Sequence, residues 1–307
     1  MSLLVVGSVA FDSVKTPFGE VAEALGGSAT FFSTSASYFT KVSLVAVVGS
    51  DFPEKHILLL KGRGIDLKGL QKVEGKTFRW KGEYGFALNE AKTLDTQLNV
   101  FQTFKPEIPD SYRDSKVVFL ANIDPDLQSD VLDQVKNPLW VGCDTMNYWI
   151  EGKRASLLKI LKRVDLLMIN DGEARQLSGE SNLVAAAAGI HAMGPRILII
   201  KRGEYGALMF NGKSVFAAPA FPLEKIFDPT GAGDSFAGGV MGYLSRHEKF
   251  SDSQLRKAII YGSVMASYNV ESFSLDRIKN LTEDEIISRY RKFKELTHFE
   301  AMEALDE

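Results

Sequence analysis

Asp228-Pro229-Thr230-Gly231-Ala232-Gly233-Asp234-Ser235-Phe236-Ala237-Gly238-Gly239 is a run of small residues with a carboxylate in its middle, leading into an apolar pattern of helical period. Phe236, Val240 and Tyr243 share one face and Ala237, Met241 and Leu244 the next, so a helix is predicted to begin at or just before Asp234. The turn therefore sits on a helix N-terminus. There the N–H groups of Gly231, Ala232 and Gly233, with the partial positive charge of the helix end, form a seat for an anion. Asp234 would repel a phosphate resting in that seat, yet it is well placed to take a proton from a hydroxyl attacking it. At its reference pKa of about 3.9 an Asp is already ionised at neutral pH. The plainer reading of the local string is a glycine-rich turn with Asp as N-cap.

Upstream, short apolar runs bounded by turn residues at 3–6, 44–48, 117–120, 139–143, 166–169 and 197–200 predict buried strands. Helical stretches at 53–63, 154–163 and 183–193 lie between several of them, the alternation expected of a largely parallel sheet covered on both faces. Ligands of such folds collect at the carboxyl ends of the strands. Two stretches break the rhythm, 14–25 and 71–104, where 77–80, 84–88 and 98–101 read as strands with no helix between. They are expected to form a small antiparallel lid grown from a single domain spanning 1–307, since no low-complexity linker sets them apart.

The chain has 307 residues, a formal charge of −3 and one cysteine, Cys143, within an apolar run. That length suits one large α/β domain or two modest ones. The charge leaves no basic footprint for nucleic acid, and a lone cysteine excludes an intrachain disulfide framework and a cysteine zinc cluster. No stretch approaches the ~20 apolar residues of a membrane helix, so a cytoplasmic protein with a small-molecule substrate and no membrane partner is expected. Two nucleotide motifs fail. Gly206 with Gly212-Lys213-Ser214 resembles a phosphate loop, but the spacing is one residue too long and Asn211-Gly212 marks a hairpin between strands at 207–210 and 215–218. The first strand runs into Gly7-Ser8-Val9-Ala10-Phe11-Asp12, without the further glycines of a dinucleotide fingerprint.

The 228–239 string, late in an α/β chain, resembles the C-terminal signature of the ribokinase, or PfkB, family of carbohydrate and nucleoside kinases. Gly26-Gly27, opening a small-residue helix, is similar to that family's di-glycine element; Gly49-Ser50-Asp51-Phe52 is similar to its second-strand turn, and Asn170-Asp171-Gly172-Glu173 to its Asn-x-x-Glu motif. Together they span essentially the full length. The resemblance implies a three-layer α/β/α sandwich with a mostly parallel central sheet and a small β-sheet lid, using ATP and magnesium.

It also implies roles. Asp234 is the expected base, with Gly231, Ala232 and Gly233 as the anion seat. Asp12 would accept from two adjacent substrate hydroxyls, or merely cap a turn; Gly26 and Gly27 would admit the sugar or hinge the lid, or simply start a helix. Asn170 and Glu173 would hold magnesium through water. Lys201, Gly203 and Thr230 fall on the nucleotide side, Lys201 standing where relatives usually carry a small hydroxyl residue. Its ammonium would contact ATP phosphate or cap the strand end in solvent. Asp228 would bind a monovalent cation such as potassium with the backbone near Thr230, or begin a Pro-containing turn, and 272–274 would pass the nucleotide. Phe31 stands where many relatives have Asn touching the sugar; its ring would stack on a base or pack the helix. Arg79-Trp80-Lys81 in the lid point to a phosphorylated or nucleoside substrate, or to an amphipathic strand with solvated charges.

The expected activity is transfer of the ATP γ-phosphoryl group to a hydroxyl of a sugar or sugar-like acceptor. A nucleoside acceptor is the alternative, and a vitamin kinase or a non-catalytic ligand-binding regulator of the same fold ranks below both. The exposed lid edges would suit a homodimer, unless their charges protect a monomer.

Overall fold

The computed structural model describes residues 2–298. Thirteen strands occur among them: β1 Leu3–Val6, β2 Ala10–Thr16, β3 Gly19–Gly26, β4 Val42–Gly49, β5 Asp66–Val73, β6 Phe78–Tyr84, β7 Ala91–Gln97, β8 Val117–Leu120, β9 Trp140–Cys143, β10 Leu166–Asn170, β11 Ile197–Lys201, β12 Ala207–Asn211 and β13 Ser214–Ala218. The helices are α1 Ser28–Ala36, α2 Glu54–Gly62, α3 Pro125–Gln134, α4 Asn147–Gly152, α5 Arg154–Leu161, α6 Asp171–Ser178, α7 Leu183–Met193, α8 Ala232–Leu244, α9 Asp252–Asn269 and α10 Glu283–Leu296.

Nine strands form the main sheet in the order β13-β12-β11-β10-β9-β8-β1-β4-β5. It is parallel from β5 to β11 and antiparallel only at β12 and β13. Strands β1 and β8 are apolar at every position because both faces are covered. Leu3 and Val5 of β1 join a core with Phe31, Phe32, Phe236, Ile259 and Phe293, so α1, α2, α8, α9 and α10 pack on that side. Leu4 and Val6 face α3 to α7 through Val131, Ile150, Leu157, Leu177 and Ile190. This is the expected three-layer sandwich, and Cys143 lies in the second core, fully buried.

The Gly238-Gly239 pair lets α8 press against both neighbours. A Cβ on Gly238 would stand 2.4 Å from the Phe32 carbonyl oxygen, and one on Gly239 2.9 Å from Gly262 Cα. That close packing fixes where the preceding turn points.

The lid departs from the expectation in its sheet type, in its bounds and at two of the expected strands. Its order is β3-β2-β6-β7, and β2 pairs with β6 in parallel, so the sheet is mixed. The cause is topological: between β3 and β6 the chain passes through α1, β4, α2 and β5 of the main body and re-enters the lid from the same end. The lid begins at Ala10, and residues 71–73 end β5 of the main sheet instead. Residues 98–101 are not a strand: Asn99 takes a φ of 49° and Asn99–Thr103 is a 3-10 turn, with Phe101 stacked against Phe78 and Phe104. Strand β6 ends at Tyr84, where Gly85 and Leu88 turn the chain, so 84–88 is not a strand either. The hairpin at Asn211-Gly212 is present, with Gly212 at φ 57° as the first of its two turn residues. No helix among the described residues is long and apolar enough to cross a membrane.

Candidate active site

The anion turn closes on the N-terminus of α8, which starts at Ala232, two residues ahead of Asp234. Gly231 is its N-cap with φ 74°, in the left-handed region that glycine tolerates. The N–H of Ala232 donates to the Pro229 carbonyl at 3.1 Å, so of the three amides expected in the seat those of Gly231 and Gly233 have no acceptor among the described residues.

Asp234, in the first turn of α8, is half-buried, and burial first, then repulsion from Asp144, lift its carboxyl to about 7 against the pull of Lys201 and its own N–H. Lys201 leaves the carboxyl end of β11. Its Nζ lies 3.0 Å from Asp144 Oδ2, and a Cβ added to Gly233 would stand 3.1 Å from the same nitrogen. The ammonium thus underlies the anion turn. Burial opposes its charge, but Asp144, Glu173 and Asp234 outweigh that and hold Lys201 protonated. Asp144 follows β9, and its buried carboxyl is raised by desolvation in spite of Lys201.

Asn170 and Glu173 meet as a capping box at the start of α6. The Asn170 side chain accepts from the Glu173 N–H and Glu173 accepts from the Asn170 N–H, both at 2.7 Å. Burial, then repulsion from Asp144, raises Glu173 to about 7, with Lys201 and the Asn170 N–H opposing and Asp234 adding to the rise.

Across the cleft stands Asp12 of β2, also raised to about 7, chiefly by burial and against the N–H of Gly27, with Asp228 and Asp234 adding repulsion. Gly27 donates to Asp12 Oδ2 at 3.4 Å, and a Cβ on Gly26 would fall 1.9 Å from that oxygen. The di-glycine element therefore makes room for the carboxylate itself. Gly27, at φ 94°, also lies against the Ser8 carbonyl.

Asp228 is buried at 1% exposure, and its two oxygens accept the N–H groups of Thr230 (2.9 Å) and Ser274 (3.2 Å). Ser274 in turn donates its hydroxyl to Leu25 of β3. The Thr230 hydroxyl donates to the Tyr84 hydroxyl at 3.2 Å, joining the anion turn to the lid. Burial raises Tyr84, and Asp228, Asp12 and Asp234 raise it further.

Phe31 follows its packing reading and not its stacking one, and Arg79 and Gly203 are placed as follows. Phe31 is 1% exposed and packs under Gly231 in the core, so its ring faces no ligand. Arg79 is committed to Glu23 (2.7 Å), Asp51 (2.8 Å) and the Thr77 carbonyl, and is not free to greet a substrate phosphate. Gly203 opens an exposed 3-10 turn after β11, against Asn89 of the lid. Asp144 and Tyr84 join the site without belonging to any of the sequence motifs. Asp144 follows directly on a parallel strand, where ligand-facing residues collect, so the strand-end rule was the available signal.

A model of the family described as pfkB family carbohydrate kinase matches residues 4–280. The chain is 34% identical over 254 residues to the cytidine kinase of Thermococcus kodakarensis, covering 80% of this chain and 89% of that protein. It is 26% identical over 294 residues to the nucleoside kinase of Methanothermobacter thermautotrophicus, covering 88% and 89%. Among solved structures it is similar to the Methanocaldococcus jannaschii nucleoside kinase (TM-score 0.74, 20% identity, 95% and 98% of the two chains). A putative ribokinase II of E. coli in complex with ATP and magnesium also matches (TM-score 0.78, 18% identity, 96% and 99%), and these two likenesses speak for the fold. With its anion turn, strand-end carboxylates and lid in these positions, the chain belongs to the pfkB family of carbohydrate kinases.

Proposed function

We propose that this ATP-dependent kinase phosphorylates a hydroxyl of an unphosphorylated sugar or nucleoside, with Asp234 as general base. The observation that carries the reading is a carboxyl lifted to about 7, at a helix N-terminus, with the Lys201 ammonium beneath the same turn. The acceptor oxygen attacks the γ-phosphorus, its proton passes to Asp234, and the bridging oxygen leaves with ADP. The amides of Gly231 and Gly233 and Lys201 stabilise the charge spread over the phosphoryl oxygens. Asp12 accepts from the acceptor's hydroxyls.

The donor set fits magnesium. Asp144 raises the proton affinity of both Glu173 and Asp234, and Asp234 adds to that of Glu173, a crowding of negative charge that a divalent ion would relieve. Asn170 and Glu173, paired at the start of α6, would hold such an ion through water. Bound there, magnesium supplies charge neutralisation at the phosphates. Asp228, buried without an ion pair among the described residues, favours a monovalent cation beside it. Replacing potassium by lithium then lowers kcat, and equal rates in both salts remove the cation from the account.

An acceptor already carrying a phosphate is disfavoured because Arg79 is held by Glu23 and Asp51. The test is ADP release from ATP and magnesium against ribose, fructose, their phosphates and ribonucleosides. Stimulation by an unphosphorylated acceptor, lost in Asp234→Asn, is the expected result; a phosphosugar as best acceptor would overturn this part of the reading.

A further inference from the structure

We infer that the indole of Trp80 is the platform on which the base of a nucleoside acceptor stacks, so that this enzyme selects the aromatic half of its substrate as well as the sugar. The inference rests on the kinase reading above and adds the substrate class. It begins with the faces of the lid. In the parallel ladder between β2 and β6, Asp12 stands opposite Trp80 and Val14 opposite Gly82. Partners opposite each other in a sheet share a face. Val14 is 2% exposed, Asp12 reaches Gly27, and Tyr84, two residues beyond Gly82, bonds Thr230. That face therefore looks into the cleft. The other face carries Phe11 with the Arg79 guanidinium over its ring.

Trp80 is held in place on the inner face. Its indole is laid across Gly82, where a Cβ would stand 2.3 Å from Cη2 and 2.4 Å from Cζ2, and its Nε1 donates to Thr93 of β7 at 3.2 Å. A ring fixed at both ends loses little freedom on meeting a ligand. One side of it is covered by Gly82, and the indole as a whole is only half-buried. Asp12 stands in register with Trp80 on the neighbouring strand and on the same face of the sheet. A carboxylate for vicinal hydroxyls beside a flat aromatic surface matches a nucleoside. The other aromatic candidate, Phe31, is in the core. A tryptophan that only packed the lid would be indifferent to the acceptor.

The test compares the full-length enzyme with Trp80→Ala and Trp80→Phe, using a ribonucleoside and free ribose as acceptors. Loss of a stacking partner is expected to raise the nucleoside KM about 10- to 100-fold in Trp80→Ala and leave the ribose KM within about twofold. Trp80→Phe restores the nucleoside KM to within a few-fold of wild type. Independently, the nucleoside alone quenches tryptophan fluorescence in the wild type but not in Trp80→Phe, which retains Trp140 and Trp149. Equal KM changes for ribose and nucleoside, or no quench assignable to Trp80, overturn the platform. If Trp80→Ala does not fold, as its melting curve will show, Trp80→Phe and the titration decide. Turnover of sugars with no nucleoside quench would sink the platform and leave the kinase standing; a Trp80 quench without phosphoryl transfer would do the reverse.

Discussion

The ring of Phe31 lies so close under Gly231 that a Cβ on the glycine would stand 2.3 Å from Phe31 Cγ. Gly231 also sits at φ 74°, so a side chain there meets both a collision and an unfavourable backbone. Gly231→Ala is expected to destabilise the fold by about 2–4 kcal/mol, from overpacking and the left-handed φ, and to abolish turnover by displacing the anion turn. Denaturant unfolding of Gly231→Ala, Phe31→Ala and the double mutant checks the origin. Coupling between the two substitutions is the expected result, and strict additivity would place the strain elsewhere.

Lys201 and Asp144 form a pair with side chains only 18% and 7% exposed. Lys201→Met leaves Asp144 buried without its partner, so a loss of about 3–5 kcal/mol is expected, smaller when Asp144→Asn is added. With the ammonium gone from the anion turn, the KM for ATP rises and the acid limb of the rate profile moves to higher pH, since Lys201 holds Asp234 down. An unchanged limb would show that Lys201 does not face Asp234.

The raised carboxyls give two opposite pH dependences. For turnover, kcat/KM of the free enzyme climbs as pH rises through about 7, where Asp234 and Asp12 lose their protons. For stability the sign reverses. Asp12 and Asp234 are raised from 3.8 and Glu173 from 4.5, each to about 7, so between those limits the folded state holds protons that the unfolded chain has released. Their contribution is lost as pH rises through 7, and Tm of the ligand-free protein should increase from pH 7.5 down to pH 5.5, a window of about two units. Asp234→Asn should flatten that slope while lowering kcat by about 10²–10⁴-fold. A Tm that rises with pH across the window contradicts the assignment.

Tyr84 accepts from Thr230 and so links the lid to the anion turn. Tyr84→Phe removes one hydroxyl without emptying volume. An acceptor KM raised about 3- to 10-fold is expected, the scale of one hydrogen bond, along with more ATP hydrolysis in the absence of acceptor because the lid closes less firmly. Steady-state assays with and without acceptor separate the two effects, and a fall in kcat alone would point to a different role.

The local strings were legible because their cause is local. Strands β1 and β8 and helix α7 have the bounds that apolar period and flanking turns imply, and the 228–239 turn opens a helix as its small residues and carboxylate require. The Asn170-x-x-Glu173 spacing was equally visible, and the same spacing makes a capping box. Tertiary structure decided what packing and long-range pairing control. Nothing near Lys201 in the chain announces Asp144, 57 residues away, because the two meet only when β9 and β11 end on the same side of the sheet. Nothing in the period of the lid reveals that β2 and β6 run parallel, since that follows from the chain's detour through the main sheet. An aromatic side chain likewise carries no mark of where it will lie: Phe31 was drawn into the core by the close approach of α1 and α8, and Trp80 was laid across Gly82 with its Nε1 on Thr93 of the next strand.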